Sequence, residues 1–141
     1  MSIVDKSAKF LIKGGKPIKG SLKISGAKNA ASKLIIASLL TNEPVHITNC
    51  PVSIGEILVT RKIIESLGAK FSKFKNNEVI VQTKKIHDIS FSASLGLINR
   101  IGVLTAGPLL LRGGEAKIPK PGGDQIGNRP INFHLDAFIK L

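Results

Sequence analysis

The chain has 141 residues, of which 43% are hydrophobic and 21% are charged, and its 21 Lys and Arg against 9 Asp and Glu give a net charge of +12. This length and composition are those of a globular domain, and they exclude a disordered chain. The absence of Trp and Tyr argues against a nucleic-acid platform on which bases stack. The dispersed lysines favour anionic partners in general, or they reflect a lysine-rich proteome.

Cys50 is the only cysteine, so no disulfide can form within the chain, which is compatible with a reducing compartment. Its neighbours indicate a strand end, and we therefore expect a buried structural thiol. The N-terminus lacks the apolar core of a signal peptide, and the longest apolar segment, residues 101–111, is too short to span a membrane. We expect a soluble, cytoplasmic protein with no membrane partner.

The first part of the chain predicts alternating strands and helices. Residues 9–13 and 22–25 predict two short strands. Asn29 predicts the N-cap of a largely buried helix over residues 30–40. A strand over residues 45–49 follows.

The clearest helix of the chain is predicted next. Ser53 and Glu56 form a capping-box pattern ahead of an apolar repeat at helical spacing, and Gly68 occupies the position at which such a helix ends. A hairpin over residues 69–82, turning at residues 76–77, completes a β-α-β-α-β-β order.

A second unit of the same kind is predicted to follow. It comprises a strand over residues 87–91, a helix over 95–111 bent near residues 107–108, a short strand over 116–118 and a helix from about Asn132. The last helix lacks the Gly-Ala ending that closes its counterpart in the first unit. We interpret this as truncation in the middle of a repeat.

A first candidate site lies at residues 25–30, Ser-Gly-Ala-Lys-Asn-Ala, between a predicted strand and a predicted helix N-terminus. Unpaired backbone N–H groups and the helix dipole favour an anion there. Lys28 adds a full charge, and Asn29 adds an amide that can cap or bind. The pattern is not a Walker A sequence, so a solvated loop lysine is the alternative.

A second candidate site is the loop at residues 121–130, Pro-Gly-Gly-Asp-Gln-Ile-Gly-Asn-Arg-Pro, which carries Asp124 and Arg129. Glycines that permit unusual backbone angles, between stiffening prolines, suit a mobile lid that brings an acid and a phosphate-binding cation to a substrate. An ordinary turn with two solvated charges is the alternative. Arg100 lies in a nearly uncharged predicted helix and forms either a structural ion pair or a contact to an anionic ligand, because arginine is seldom buried alone.

In combination these motifs resemble the enolpyruvyl transferases, and within them the UDP-N-acetylglucosamine 1-carboxyvinyltransferase family. The matching segments are residues 25–31, 67–70, 107–109 and 121–130, and the resemblance runs from about residue 10 to residue 141. The sister family that acts on shikimate 3-phosphate carries a Ser-Lys-Ser type motif where this chain has Ala27-Lys28-Asn29. The resemblance to that family is therefore weaker. The resemblance implies an α/β (α+β) fold, an inside-out α/β barrel of repeated βαβαββ units, here with one full unit and most of a second.

The resemblance implies transfer of the enolpyruvyl group from phosphoenolpyruvate to the 3-hydroxyl of UDP-N-acetylglucosamine by addition and elimination, the first committed step of peptidoglycan synthesis. Asp124 would be the general acid, and Lys28 and Asn29 would bind phosphoenolpyruvate. The UDP-N-acetylglucosamine site would comprise Arg100, Arg129, Pro130, Ile131, Asn132 and Phe133. No cofactor and no metal are implied.

Two positions depart from the commonest family pattern. Asp124 stands where the family usually has Cys, which implies resistance to inhibitors that alkylate this thiol, such as fosfomycin. An Asp with an ordinary pKa of about 4 must have its pKa raised to act as an acid at neutral pH, and partial burial on loop closure would do this. Asn132 stands where the family usually has Asp.

The resemblance also implies a domain division. Residues 1–26 would be the first strands of a domain otherwise formed by a C-terminal part, and residues 27–141 would be a partial domain carrying the catalytic loop. We therefore expect the isolated chain to be inactive, as a gene fragment, a frameshift product or half of a split enzyme with a complementary C-terminal chain. The alternative is a non-catalytic remnant that binds UDP-sugar or a partner chain. A basic nucleic-acid-binding module is disfavoured by the missing aromatic residues and the dispersed lysines.

Overall fold

A computed structural model describes residues 9–123, 127 and 129–140 of the chain. The described elements, in chain order, are α1 (Lys28–Ala37), a 3₁₀ turn (Ser38–Leu40), β1 (Val45–Ile47), α2 (Gly55–Ser66), β2 (Lys70–Phe71), β3 (Val79–Gln82), α3 (Ala93–Ile98), a second 3₁₀ turn (Ile101–Thr105), α4 (Ala106–Gly113) and α5 (Asn132–Lys140). The strands form an antiparallel sheet in the order β1-β3-β2. This mixture of helices and strands agrees with the predicted α/β class.

The core lies where α1 and α2 pack on each other and the sheet. Along β3, Val79 and Val81 are buried while Ile80 is 43% exposed, because successive strand residues point to opposite faces. The largest side chains of the core are almost completely buried: Ile35, Leu39, Ile57, Ile63, Ile64, Leu67 and Leu109. Full burial of such a side chain stabilises the fold by roughly 1.5–3 kcal/mol, so this cluster is the main apolar contribution to stability.

Gly68 ends α2, as the sequence predicts. Its φ is +111°, a left-handed conformation that glycine adopts without strain. The amide of Gly68 donates to the carbonyl of Glu65 at 3.1 Å, and the amide of Ala69 donates to that of Ile64 at 2.9 Å. A Cβ at position 68 would lie 2.6 Å from the carbonyl oxygen of Lys85, so the close approach of residues 84–87 requires glycine here.

The predicted hairpin is also confirmed. β2 and β3 are antiparallel, with Lys70 opposite Gln82, and the chain turns at Asn76 and Asn77, which have φ values of 52° and 58°. Asparagine tolerates this left-handed conformation better than most residues.

Both predicted helix caps are wrong. The N-cap of α1 is Ala27, which places Asn29 inside the first turn. The N-cap of α2 is Ile54, one residue after the predicted Ser53, so Glu56 lies one position too early in the helix for a capping box. The carboxylate of Glu56 instead forms an ion pair with Lys28, a tertiary contact that local pattern does not reveal.

The helix predicted over residues 95–111 is broken, and not at the predicted position. α3 ends at Ile98, and Asn99 is extended with φ −152° and ψ 175°. The second 3₁₀ turn then leads into α4, where Pro108 lies in the first turn. Proline is tolerated there because the first amides of a helix have no carbonyl partner within it.

Several predicted strands do not form within the described residues. Residues 9–27 contain no strand, and Phe10 and Ile18 are 96% and 100% exposed. Residues 87–91 and 116–118 share a single parallel bridge between Ser90 and Lys117. A strand requires a paired neighbour for its backbone groups, and these segments have none here beyond that bridge.

Arg112 on α4 joins the second part of the chain to the first. Its Nη1 donates to the carbonyls of Leu39 at 2.7 Å and Thr41 at 2.8 Å, and its Nη2 donates to those of Thr83 at 2.8 Å and Lys84 at 3.2 Å. One guanidinium therefore satisfies carbonyls at the end of the first 3₁₀ turn and just after β3. The planar fork of arginine suits this arrangement better than the single ammonium of lysine.

No helix within residues 9–123, 127 and 129–140 is both long enough and apolar enough to cross a membrane.

We expect Arg112→Lys to lower the free energy of unfolding by about 2 kcal/mol, because several charge-assisted hydrogen bonds are lost while the charge remains. Urea unfolding measures the loss. The matched control is Arg61→Lys: Arg61 is half-buried on α2, pairs with Glu65 at 2.8 Å and lies 5.1 Å from the ring centroids of Phe71 and Phe74. Because lysine can keep the charge near both kinds of partner, we expect a loss below about 1 kcal/mol. Equal losses for the two variants would contradict the role of Arg112.

Candidate ligand-binding site

A cavity of about 400 Å³ lies between the helix pair α1–α2 and the break that follows α3. Its walls come from four parts of the chain: Lys28, Asn29, Ser32 and Lys33 of α1; Glu56 and Thr60 of α2; residues 98–101; and Gly123 with Arg129. The cavity thus exists because the second part of the chain folds back on the first.

Among the residues that the structure describes, the lining of this cavity is strongly positive. Four described cationic side chains line it, against one described carboxylate, Glu56; the cations are Lys28, Lys33, Arg100 and Arg129. Lys28 is paired with Glu56, with the two side chains 42% and 44% exposed. Like charges held together around a partly enclosed space favour the binding of an anion.

Arg100 lies at the break rather than within a helix, where it is half-buried. Its Nη2 donates to the carbonyl of Arg129. Among the described residues, no carboxylate lies within ion-pair distance of Arg100. The structural ion pair that the sequence left open is therefore not found in this part of the chain, and the guanidinium lines the cavity.

The start of the 121–130 loop is held against α3. The amide of Gly122 donates to the carbonyl of Gly96 at 2.9 Å, and any Cβ at position 122 would collide with the carbonyl of Leu97. Gly123 follows with φ +103° and lies against Arg100. The glycines therefore allow the loop to enter at the edge of the cavity.

A family model described as EPSP synthase (3-phosphoshikimate 1-carboxyvinyltransferase) matches residues 12–141. The chain belongs to the EPSP synthase family.

Curated relatives named UDP-N-acetylglucosamine 1-carboxyvinyltransferase are similar to this member of the EPSP synthase family. The relative from Prochlorococcus marinus (strain NATL1A) is 43% identical over 130 residues, which cover 92% of this chain and 28% of the relative. The relative from Idiomarina loihiensis is 37% identical over 133 residues, 94% of this chain and 32% of the relative. The relative from Treponema denticola is 38% identical over 132 residues, 94% of this chain and 31% of the relative. The chain thus spans less than a third of the length of these relatives.

The structure brings together part of the predicted site of this EPSP synthase-family chain. Lys28, Asn29, Arg100 and Arg129 all line the cavity. The remaining predicted sugar-site residues do not: Ile131 lines a neighbouring cavity, and Pro130, Asn132 and Phe133 are exposed, Phe133 to 83%. Asp124, the predicted general acid, lies outside the described residues.

Several lining residues are not predicted by the sequence. The local pattern places Glu56 in a capping box, and only the tertiary structure reveals its pairing with Lys28. Lys33 follows Asn29 by four residues, and this spacing places both residues on one helix face. The spacing therefore indicates that Lys33 lies at the same site as Asn29. Asn99 gave no signal other than its place beside Arg100. The hydroxyls of Ser32 and Thr60 donate to carbonyls of their own helices at 2.7 and 2.8 Å.

The described part of the site can hold an anion, but it offers little acid–base chemistry. Among the described residues, no group of three or more His, Cys, Asp or Glu side chains could hold a metal ion. Cys50 is 1% exposed, and burial raises the pKa of its thiol, which disfavours the reactive thiolate. The expectation of a buried structural thiol is confirmed.

We expect Glu56→Gln to tighten the binding of inorganic phosphate by about 2–5-fold at low salt, because the one lining carboxylate described here no longer offsets the cations. Isothermal titration calorimetry measures the affinity. Glu65→Gln, on the same helix and outside the cavity, is the charge-matched control and should leave the affinity unchanged. Weaker phosphate binding by Glu56→Gln would show that the Lys28–Glu56 pair positions the lysine rather than opposing the anion.

Proposed function

We propose that the chain supplies the phosphoenolpyruvate-binding part of an enolpyruvyl transferase that acts on UDP-N-acetylglucosamine in peptidoglycan synthesis. The observation that carries the proposal is the cavity in which Lys28, Asn29, Arg100 and Arg129 converge. Membership in the EPSP synthase family and the names of the similar relatives support the reaction class and the acceptor sugar.

The charges of the cavity match the proposed donor substrate. Phosphoenolpyruvate carries a carboxylate and a phosphate, and Lys28 with the two guanidinium groups supplies cations for both. Asn29 adds an amide donor, and Arg129 with Arg100 extends toward the nucleotide sugar. Because the backbone of Arg129 already accepts a hydrogen bond from Arg100, the two arginines are held next to each other before substrate binds, which lowers the cost of ordering them.

In the proposed reaction the 3-hydroxyl of the sugar gives up its proton to a base and attacks C2 of phosphoenolpyruvate while Asp124 protonates C3. The tetrahedral adduct then loses phosphate from C2 and a proton from C3, and the enolpyruvyl ether remains. The cations of the cavity stabilise the phosphate as it leaves. Pro130, Ile131, Asn132 and Phe133 belong to the proposed sugar site, which requires the 129–133 segment to face the bound nucleotide.

The proposed wider architecture is an inside-out α/β barrel of βαβαββ units, with residues 1–26 belonging to a second domain. The exposed apolar residues of the 9–27 segment, such as Phe10 and Ile18, are consistent with strands that need such a partner. Since the chain spans 28–32% of its relatives, we propose that it binds phosphoenolpyruvate without turning it over alone. Phosphate release by the purified chain with both substrates would refute this.

We expect the chain to bind phosphoenolpyruvate. We expect Lys28→Gln and Arg129→Gln each to weaken this binding by about 10-fold or more, because each substitution removes a charge-assisted contact. Calorimetric titration measures the affinities. Lys73→Gln is the matched control: it removes the same charge from a different hollow, beside Glu78, and should bind as the unsubstituted chain does. An equal loss in all three variants would indicate non-specific attraction by the net charge.

The proposed acid makes a prediction about inhibition. We expect fosfomycin to form no adduct with the unsubstituted chain at position 124, and Asp124→Cys to gain one, because only a thiolate is readily alkylated. Mass spectrometry of the peptide containing residue 124 detects the adduct. An adduct on Asp124 itself would contradict the proposal. Cys50 is an internal control, since its burial should keep it unmodified in both proteins.

A further inference from the structure

A smaller cavity of about 220 Å³ lies next to the cationic cavity and shares part of its lining. Lys33, Arg100, Ile101 and Arg129 line both cavities, and we call these residues the shared wall. The rest of the smaller cavity is mostly apolar and comes from the second 3₁₀ turn and residues 131–134: Val103, Leu104, Ile131 and His134.

The shared wall carries positive charge that no described carboxylate offsets. Glu56 pairs with Lys28, and neither of these residues lines the smaller cavity. In the described part of the chain, no carboxylate lies within ion-pair distance of Lys33, Arg100 or Arg129. Three cations therefore face both cavities at the shared wall, whereas the charge of Lys28 is partly neutralised.

The helix α1 places Lys33 at the shared wall. Lys33 follows Asn29 by four residues, so the two lie on the same face of the helix. Lys33 is exposed, and its ammonium group carries three donors at the end of a flexible four-carbon stem. A lysine that lines both cavities can therefore present this ammonium to a ligand in either one. Lys33 is not among the residues that the family resemblance implies for either substrate.

The composition of the shared wall and of the smaller cavity favours an organic diphosphate over a small single anion. Three cations at one wall match a group with more than one negative charge, because each phosphate oxygen can accept a charge-assisted hydrogen bond. The apolar side chains of Val103, Leu104 and Ile131 offer surface that an inorganic anion would not use but an organic group would cover.

We propose that Lys33 is a ligand-binding residue whose ammonium binds a phosphate group at the shared wall, together with Arg129. The ligand class is an organic diphosphate whose phosphates lie at the shared wall and whose remaining part extends into the smaller cavity. The assignment rests on the proposed function, in which the acceptor is a nucleotide sugar with a diphosphate. Phosphoenolpyruvate then lies beside Lys28 and Asn29, so the two substrates make their main ionic contacts with different lysines.

The first experiment measures the binding of uridine diphosphate and of phosphoenolpyruvate to the full 141-residue chain by calorimetry. The salt concentration is about 0.15 M, at which charges more than about 8 Å apart are largely screened. We expect Lys33→Gln to weaken uridine diphosphate binding by about 5-fold or more and phosphoenolpyruvate binding by less than about 2-fold. Lys28→Gln should show the opposite selectivity. Lys33→Arg keeps the charge and should bind uridine diphosphate within about 2-fold of the unsubstituted chain.

The matched control is Lys62→Gln. Lys62 is an exposed lysine on α2 and lines neither cavity. Its substitution removes the same charge from another helix and should leave both affinities within about 2-fold. Circular dichroism and a thermal melt establish that each variant is folded.

The second experiment tests whether Lys33 contacts the phosphates rather than the rest of the ligand. Inorganic pyrophosphate is titrated into the unsubstituted chain and into Lys33→Gln. We expect Lys33→Gln to weaken pyrophosphate by about the same factor as uridine diphosphate. Pyrophosphate binding that does not depend on Lys33 would overturn the proposal.

The outcomes separate this inference from the proposed function. If both substrates' probes bind, and Lys33→Gln behaves as Lys62→Gln does or weakens both probes equally, the role of Lys33 is overturned and the proposed function stands. If uridine diphosphate binding depends on Lys33 but phosphoenolpyruvate does not bind, the role of Lys33 is supported and the proposed function fails. If only phosphoenolpyruvate binds, the role of Lys33 is overturned. If neither probe binds, both proposals are overturned.

Discussion

The guanidinium of Arg112 is the contact on which the arrangement of the two parts of the chain depends. It donates to carbonyls that follow α1 and to carbonyls that follow β3, and so fixes α4 against the first βα unit. The second 3₁₀ turn runs directly into α4, so the position of α4 also sets where Asn99 and Arg100 face α1. The ligand cavity is therefore a consequence of this hydrogen-bonded junction and of the apolar core beneath it, rather than of any single loop.

The cavity places cations close together at an energetic cost that the proposed anionic ligand would offset. Glu56 reduces this repulsion by pairing with Lys28, and the guanidinium of Arg100 donates a hydrogen bond to the backbone carbonyl of Arg129. Such an arrangement is poorly suited to stability and well suited to binding a substrate with two negative groups. The EPSP synthase-family membership of the chain and the proposed enolpyruvyl transfer give this charge distribution a chemical purpose.

What could be predicted from the sequence was local. The left-handed turn at Gly68 and the hairpin after it follow from residue types whose backbone preferences act within a few residues. The Ser53 cap failed because a tertiary partner, Lys28, engages the carboxylate that the capping pattern had assigned to the helix. The break at Asn99 was not predicted because apolar periodicity continues through it. The predicted strands at residues 9–13 and 22–25 do not form because they have no paired neighbour among the described residues.

A crystal structure of the chain grown with phosphoenolpyruvate would show directly whether the cavity beside α1 binds this ligand. We predict that the phosphate or carboxylate of the ligand lies within about 2.7–3.2 Å of Lys28 and of at least one of Arg100 and Arg129. A second basic hollow, lined by Lys70, Lys84, Lys85 and His87, should hold no ordered ligand. Ligand bound in that hollow, with the cavity beside α1 empty, would contradict the proposed role of Lys28, Arg100 and Arg129.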